Sequence, residues 1–148
     1  MPRPMAGFEV WDIVKVPFPY TNRPVLQHRP GLVVAVHAEP GSPVLLWVLM
    51  ITSALHRRWG GDVVIGDLMK TGLPVASIVR TAKVATIEAA DSVVIGRLPA
   101  PARDAVAATV AGRLAGVLVG DTTGQALIAA MQASPSRDVE ILPGRDVK

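Results

Sequence analysis

Two apolar runs separated by a short turn, within residues 27–53, restrict the fold of this chain more than any other feature. The runs cover residues 32–36 and 44–51, and the segment between them reads Glu-Pro-Gly-Ser-Pro at residues 39–43. Apolar runs of this length, bounded by proline and glycine, are typical of buried strands. We therefore predict two strands joined by a turn, and their outer ends meet if the strands pair antiparallel.

Polar side chains flank the two runs at the ends that would meet. His28 and Arg29 precede the first run, and Thr52 and Ser53 follow the second. A guanidinium held beside two hydroxyls offers charge-assisted hydrogen bonds to an anion such as a phosphate. Each of these residues alone has an ordinary structural explanation, as a surface ion pair, a solvated histidine or a turn cap. The hypothesis of a phosphate site therefore rests on their combination.

The remaining pattern predicts further strands and then a helix. The other strand-like segments are residues 11–18, 63–65, 75–87 and 93–98. At residues 101–119 the period changes, and apolar side chains recur at helical spacing: Val106, Val110, Leu114, Val117 and Leu118. Short strands followed by one helix, without alternation of the two, indicate a mainly β fold, a small antiparallel barrel or sheet capped by the C-terminal helix.

Composition favours one globular domain and excludes several kinds of chemistry. The 148 residues are 50% hydrophobic and 18% charged, and the chain contains no cysteine, so disulfides and thiolate sites are excluded. The three histidines are too widely spaced for a helical metal motif. No apolar run approaches the roughly 18 residues of a membrane-spanning helix. We expect a cytoplasmic protein without a metal ion or another cofactor.

The charge pattern favours a polyanionic partner. The formal net charge is +3, and residues 56–59 read His-Arg-Arg-Trp, a basic loop with one aromatic ring. Such a loop is most often simply solvated, but it is also suited to a nucleic-acid backbone. Arg80 falls in the middle of a predicted strand, on the face of Ile78 and Val84, so its charge needs a partner or a cleft.

Several short motifs occur along the chain in a fixed order. They are Trp-Asp-Ile-Val at residues 11–14, Val-Pro-Phe-Pro-Tyr-Thr at 16–21, Arg-Pro-Gly-Leu-Val-Val at 29–34, Ile-Thr-Ser at 51–53, Gly-Leu at 72–73, Ser-Ile-Val-Arg at 77–80, Thr-Ile-Glu at 86–88 and Ile-Gly-Arg-Leu at 95–98. The ordered set, over roughly residues 8–118, resembles the MazF/PemK (Kid-like) family of bacterial toxin–antitoxin endoribonucleases.

The resemblance implies an SH3-like barrel with a C-terminal helix, which we assign to residues 1–120. Residues 121–148 lie outside the family pattern, and we expect a short helix at residues 124–133 and a flexible tail. The resemblance further implies a homodimer, with a groove that takes single-stranded RNA or the acidic C-terminal segment of a cognate antitoxin. The implied reaction is metal-independent cleavage by the RNA's own 2′-hydroxyl, which leaves a 2′,3′-cyclic phosphate and a 5′-hydroxyl.

The resemblance also assigns roles to individual residues. Arg29 matches the family's catalytic arginine at a strand start, Thr52 its phosphate-contacting threonine, and Arg80 the arginine of the Kid-like branch. Ala82 stands where Kid-like members carry an aspartate that serves as the general base. Histidine ordinarily changes charge near neutral pH, so we predict that His28, as the only histidine adjoining the Arg29 cluster, replaces it. The alternative is that His28 is a solvated loop residue without a catalytic role, and the sequence alone leaves the general base unassigned. The residues predicted to contact RNA are Gln27, Pro30, Ser53, Arg57, Arg58 and Trp59.

Two other functions stay open at this point. A CcdB-like poison of DNA gyrase has the same fold but would act through the C-terminal helix. A relative that has lost catalysis would bind only an antitoxin or RNA, and Ala82 is compatible with that reading. The joint presence of Arg29, Thr52 and Arg80 favours the nuclease. The sequence indicates neither the RNA motif that is cleaved nor the class of antitoxin.

Overall fold

The computed structural model describes residues 7–18 and 27–118. The helix predicted at residues 124–133 and the predicted tail lie outside the described residues. The chain divides into two compact units, Met1–Thr109 and Val110–Lys148. The first unit contains all the described strands, and the second contains the C-terminal half of the helix. No helix in the described part of the chain has both the length and the apolarity to cross a membrane.

The described chain is mainly antiparallel β-structure followed by one helix, as predicted. Its elements are β1 (Asp12–Phe18), β2 (Gln27–His37), β3 (Leu45–Ser53), β4 (Asp62–Ile65), β5 (Ser77–Glu88), a 3₁₀ turn (Ala89–Asp91), β6 (Val93–Arg97) and α1 (Ala100–Leu118). The strands form one sheet of order β4-β5-β3-β2-β1-β6, in which every neighbouring pair is antiparallel.

The two apolar runs form β2 and β3, and both strands are longer than predicted. β2 begins at Gln27 because residues 27–32 pair with β1, so His28 and Arg29 lie inside the strand and not before it. β3 continues through Ser53 because its end pairs with the start of β5, so Thr52 also lies inside its strand. The polar groups of the predicted site are therefore held by strand backbone on two sides.

The core is built from the alternating apolar side chains of the strands. Burial of a side chain of this size stabilises the fold by about 1.5–3 kcal/mol. One cluster of fully or nearly fully buried side chains joins β1, β2 and β3: Val14, Val16, Phe18, Val33, Leu46, Val48 and Met50. This cluster fixes the relative positions of the three strands that carry the candidate site.

The segment at residues 66–76, between β4 and β5, packs against the edge strand β6. The backbone N–H of Arg97 donates to the carbonyl of Lys70 at 2.8 Å. Gly72 has a φ of 74°, and a side chain there would collide with the carbonyl oxygen of Ile95. The segment therefore needs glycine at position 72, both for its backbone conformation and for its close approach to β6.

The helix buries little of the apolar face that its sequence predicted. Val106 is fully buried, but Leu114 is 43% exposed and Val117 is 81% exposed. Single exposed apolar residues are ordinary, whereas two on consecutive turns of one helix give it an apolar surface. The predicted helix is confirmed, and part of its apolar face is exposed.

We expect Gly72→Ala to destabilise the protein by about 2–5 kcal/mol, through a left-handed backbone conformation and a collision with β6. Urea unfolding followed by fluorescence measures the change. Gly66→Ala is the matched control, because no atom lies within 4 Å of the added methyl group. Equal losses from both variants would contradict the role assigned to Gly72.

Candidate functional site

A pocket of about 300 Å³ lies where residues of β1, β2, β3, β5 and β6 meet the 66–76 segment. Apolar side chains such as Ile51, Leu73 and Ile95 form part of its wall. Its polar lining consists of Lys15, Arg29, Thr52, Ser53, His56 and Ser77. Of these, Thr52 and Ser77 are buried and Arg29 is half-buried, so their side-chain positions are restricted by the surrounding strands.

Arg29 and Thr52 meet across the β2–β3 pair. The register opposes Gly31 to Met50, and Arg29 and Thr52 each lie two residues beyond this pair along their strands. The Arg29 Nη2 group donates to Thr52 Oγ1 at 3.5 Å, a long hydrogen bond. The predicted convergence of the guanidinium with the threonine hydroxyl is confirmed.

His56 extends this pair into a chain of three polar groups. Thr52 Oγ1 and His56 Nδ1 are 2.8 Å apart, a hydrogen bond whose direction depends on the imidazole tautomer. The turn that follows β3 brings His56 into place. In that turn the His56 N–H donates to the Ser53 carbonyl at 3.1 Å, and the Leu55 N–H donates to Ser53 Oγ at 3.1 Å.

His28 does not line this pocket. It is exposed on β2, where it is in register with Pro17 of β1. The prediction that His28 is the only histidine adjoining the Arg29 cluster is wrong, because His56 contacts Thr52. The sequence feature that could have identified His56 is its spacing from Thr52. Ser53 can cap a turn directly after Thr52, and such a turn brings the residue four positions after Thr52 close to the threonine side chain.

The pocket carries positive charge. Lys15 and Arg29 contribute cations, and no carboxylate occurs in the lining formed by the described residues. Sequence reasoning missed Lys15, which enters the pocket because β1 pairs with β2. Cationic groups beside hydroxyl donors are suited to an oxyanion such as phosphate or carboxylate.

Arg80 lies outside the pocket lining and forms a second cluster. It is only 7% exposed, and its sequence position required a partner, which is Asp62. Arg80 Nε donates to Asp62 Oδ1 at 3.2 Å, and Nη2 donates to Asp62 Oδ2 at 3.0 Å. Nη2 also donates to the Arg57 carbonyl at 2.6 Å, and the guanidinium lies 4.0 Å from the ring centroid of Trp59.

These contacts fix the loop at residues 54–61, which connects β3 to β4. Beyond the Arg80 contacts, Thr81 Oγ1 donates to the Gly61 carbonyl at 2.7 Å, and the Trp59 N–H donates to Asp62 Oδ2 at 2.8 Å. The Trp59 end of the loop is therefore held by side chains of β5 and by Asp62. His56 belongs to the same loop, so the Arg80 cluster also supports the pocket.

The residues predicted to contact RNA divide between the pocket and its surroundings. Pro30 and Ser53 line the pocket. The others are exposed and lie outside its lining: Gln27, Arg57, Arg58 and Trp59, the last 47% exposed.

The pKa of Asp62 lies below its usual value of 3.8 despite burial. Burial alone would raise this pKa, because it disfavours the charged carboxylate. The hydrogen bonds from Arg80 and from the Trp59 N–H, with the positive charges of Arg80 and Arg58, outweigh the effect of burial. The carboxylate is therefore kept ionised, with a side chain that is 2% exposed.

Comparison with known proteins shows similarity at the level of structure. No protein-family model matches the chain, and no curated protein matches it in sequence. The crystal structure of MazE-MazF (Form-II) from Deinococcus radiodurans matches with a TM-score of 0.51 and 16% identity, over 72% of this chain and 93% of that one. The Mycobacterium tuberculosis toxin MazF-mt6 matches with a TM-score of 0.46 and 26% identity, over 58% and 85% respectively. The first likeness shows that this chain has the MazF fold, as predicted.

We expect Asp62→Asn to destabilise the protein at pH 7 by about 3–5 kcal/mol, because it leaves the buried Arg80 charge without its counter-ion. Because the pKa of Asp62 is lower in the folded protein than the unfolded value of 3.8, ionised Asp62 stabilises the fold at pH values above 3.8. This contribution is lost as the pH falls through the folded pKa. The stability difference between wild type and variant should therefore shrink below about pH 4. Urea unfolding at several pH values measures it.

The matched control for this prediction is Asp67→Asn, which changes an exposed aspartate in the neighbouring 66–76 segment. Its effect on stability should be small. A difference between wild type and Asp62→Asn that stays constant from neutral to acidic pH would contradict the ion-pair explanation.

Proposed function

We propose that this protein is the toxin of a toxin–antitoxin system and that it cleaves single-stranded RNA without a metal ion. The observation that carries this proposal is the cationic pocket in which Arg29, Thr52 and His56 form a hydrogen-bonded chain. The fold shared with the MazF toxins supports the same class of function.

The proposed reaction uses the RNA's own 2′-hydroxyl as the nucleophile. Its oxygen attacks the adjacent phosphorus, the new P–O2′ bond forms, and the P–O5′ bond breaks. The 2′-hydroxyl proton passes to a general base, and the departing 5′-oxygen takes up a proton. The products are a 2′,3′-cyclic phosphate and a 5′-hydroxyl. Such a reaction needs proton transfer and stabilisation of the negative charge that develops on the phosphorane oxygens.

Arg29 supplies the charge stabilisation in this proposal. Its guanidinium lies at the pocket with N–H groups on two edges, and the Thr52 hydroxyl holds one of them. Lys15 adds a second cation on the opposite strand. Arg80, the second arginine of the resemblance, acts at a distance: its ion pair with Asp62 positions the loop that carries His56.

The RNA on either side of the cleaved bond lies outside the pocket in this proposal. Arg57 and Arg58 are exposed cations on the 54–61 loop, suited to neighbouring phosphates. Trp59 is half-exposed and has one face against Arg80, which leaves ring surface for stacking with a base. Gln27, at the start of β2, is the remaining polar candidate.

The proposed antitoxin is a partner protein with an acidic C-terminal segment that occupies the same pocket. Carboxylates and phosphates are recognised by the same cationic and hydroxyl donors, so one site binds either. The Deinococcus radiodurans structure is of a MazE-MazF pair, which supports a partner of this class.

We expect Arg29→Ala to lower the single-turnover rate of RNA cleavage by about 100- to 1,000-fold, the usual effect of removing one donor to a developing oxyanion. The assay is incubation of purified protein with single-stranded RNA in EDTA, followed by analysis of the product ends. Growth arrest on expression should be lost in parallel.

Lys83→Ala is the control, because Lys83 is an exposed cation of β5 that does not line the pocket. Its rate should match that of the wild type, and circular dichroism should show both variants folded. Cleavage by Arg29→Ala at the wild-type rate would contradict the site assignment. No cleavage by the wild-type protein would contradict the nuclease and favour a relative that only binds.

We expect the protein to be a homodimer at micromolar concentration. Leu114 and Val117 are exposed on consecutive turns of α1, and an apolar surface of this kind is commonly covered by a second subunit. Sedimentation velocity measures the mass, and Leu114→Asp should weaken association while leaving the secondary structure unchanged. A wild-type monomer at this concentration would contradict the prediction.

A further inference from the structure

We propose that His56 is the general base of the reaction, the group that accepts the proton of the attacking 2′-hydroxyl. This inference rests on the proposed function.

His56 is the one lining group of the described pocket that is suited to accept a proton near neutral pH. The lining formed by the described residues contains no carboxylate, and its nitrogen-containing polar side chains are those of Lys15, Arg29 and His56. Lysine and arginine are ordinarily protonated at neutral pH, and serine or threonine hydroxyls are weak bases. Histidine ordinarily exists in both protonation states between pH 5 and 8, as a general base requires.

The imidazole of His56 is anchored at one nitrogen. Nδ1 lies 2.8 Å from Thr52 Oγ1, which also contacts Arg29. When Nδ1–H donates to that oxygen, the lone pair lies on Nε2, at the opposite edge of the ring. Proton transfer to Nε2 then gives an imidazolium whose Nδ1–H keeps the same hydrogen bond. His56 is exposed, so a ribose can reach Nε2.

Ala82 occupies the position at which Kid-like members carry an aspartate, and this position does not line the pocket. Ala82 is exposed on β5. The 54–61 loop supplies the acceptor in its place. That loop is held by the Ser53 turn at one end and by the Arg80–Asp62 pair at the other. The acceptor therefore does not depend on loop ordering when RNA binds.

The experiment is single-turnover cleavage from about pH 5 to pH 9 by wild type, His56→Ala and His56→Asn. Both variants should be slower by at least about 100-fold and should lose the acidic limb of the profile. Asparagine retains a polar group that can reach Thr52 but cannot accept the proton. Recovery of the rate by His56→Asn would show that His56 only positions Thr52, and would overturn the proposal.

Two other charged groups line the pocket with His56: Lys15 comes from β1 and Arg29 from β2. Arg57 and Arg58 are exposed on the same loop, outside the lining. His37→Ala is the matched control, since His37 is a histidine at the far end of β2, beside Glu39. It should retain both the wild-type rate and the wild-type profile. Loss of the limb in His28→Ala but not in His56→Ala would overturn the assignment.

A substrate with sulfur in place of the 5′-bridging oxygen separates a base from an acid. A thiolate leaves without protonation, so it restores the rate of a variant that lacks the general acid but not of one that lacks the general base. His56→Ala should remain slow on this RNA. Full recovery would assign His56 to the leaving oxygen and would overturn the proposal.

Binding of RNA with a 2′-deoxy sugar at the cleavage point gives a readout that is independent of turnover. His56→Ala should bind it with nearly the wild-type Kd, because a base acts on kcat and not on ground-state binding. If wild type cleaves RNA and both His56 variants cleave equally fast, this inference fails and the proposed function stands. If wild type does not cleave, the proposed function fails and the inference fails with it.

Discussion

The antiparallel pairing of β2 with β3 determines where Arg29, Thr52 and Ser53 lie in the pocket. Its register opposes Gly31 to Met50, two residues from Arg29 and from Thr52, whose side chains are in contact. A shift of one residue would turn the side chains of one strand to the opposite face relative to those of the other. Gly31 permits the close approach of the two strands, because a side chain at that position would collide with Val48 of β3. β1 and β5 flank the pair, so the two strands that carry the site are interior strands of the sheet. The side chains of Arg29 and Thr52 are therefore carried by strands that the hydrophobic core holds in place.

A buried ion pair gives the neighbouring loop comparable order by a different route. The desolvation of Arg80 and Asp62 offsets much of their attraction, so the pair contributes little net stability even though loss of either partner is costly. Its main structural effect is on the position of the loop. The Asp62 carboxylate, the Arg57 carbonyl and the Trp59 ring all contact the Arg80 guanidinium. A conformation of the loop that separates them leaves a buried charge unpaired. His56 is carried by that loop, so a strand, an ion pair and a turn together place one imidazole.

The local pattern of apolar and polar residues was sufficient to predict the fold and the approach of Arg29 to Thr52 in the candidate site. Alternation and helical spacing predicted the strands and α1, and a hairpin of two apolar runs made the approach of Arg29 to Thr52 predictable. Burial implied that Arg80 needs a partner, but the pattern did not identify Asp62, which lies 18 positions earlier in the sequence. Lys15 and His56 were missed for the same reason: strand pairing brings one to the pocket, and a serine-capped turn brings the other. These residues could not be predicted because their positions depend on contacts between different strands and loops, and the spacing of apolar residues along the chain does not indicate such contacts.

The cover that the 66–76 segment gives to β6 has a consequence for the behaviour of the free protein. An uncovered edge strand presents unpaired N–H and C=O groups, on which a strand of another molecule can add and begin aggregation. Here the Arg97 N–H is occupied by Lys70, and the close approach of Gly72 to Ile95 blocks further access to that edge. β4, at the other edge, spans only Asp62–Ile65. Both edges are thus poor templates for the addition of a strand from another molecule.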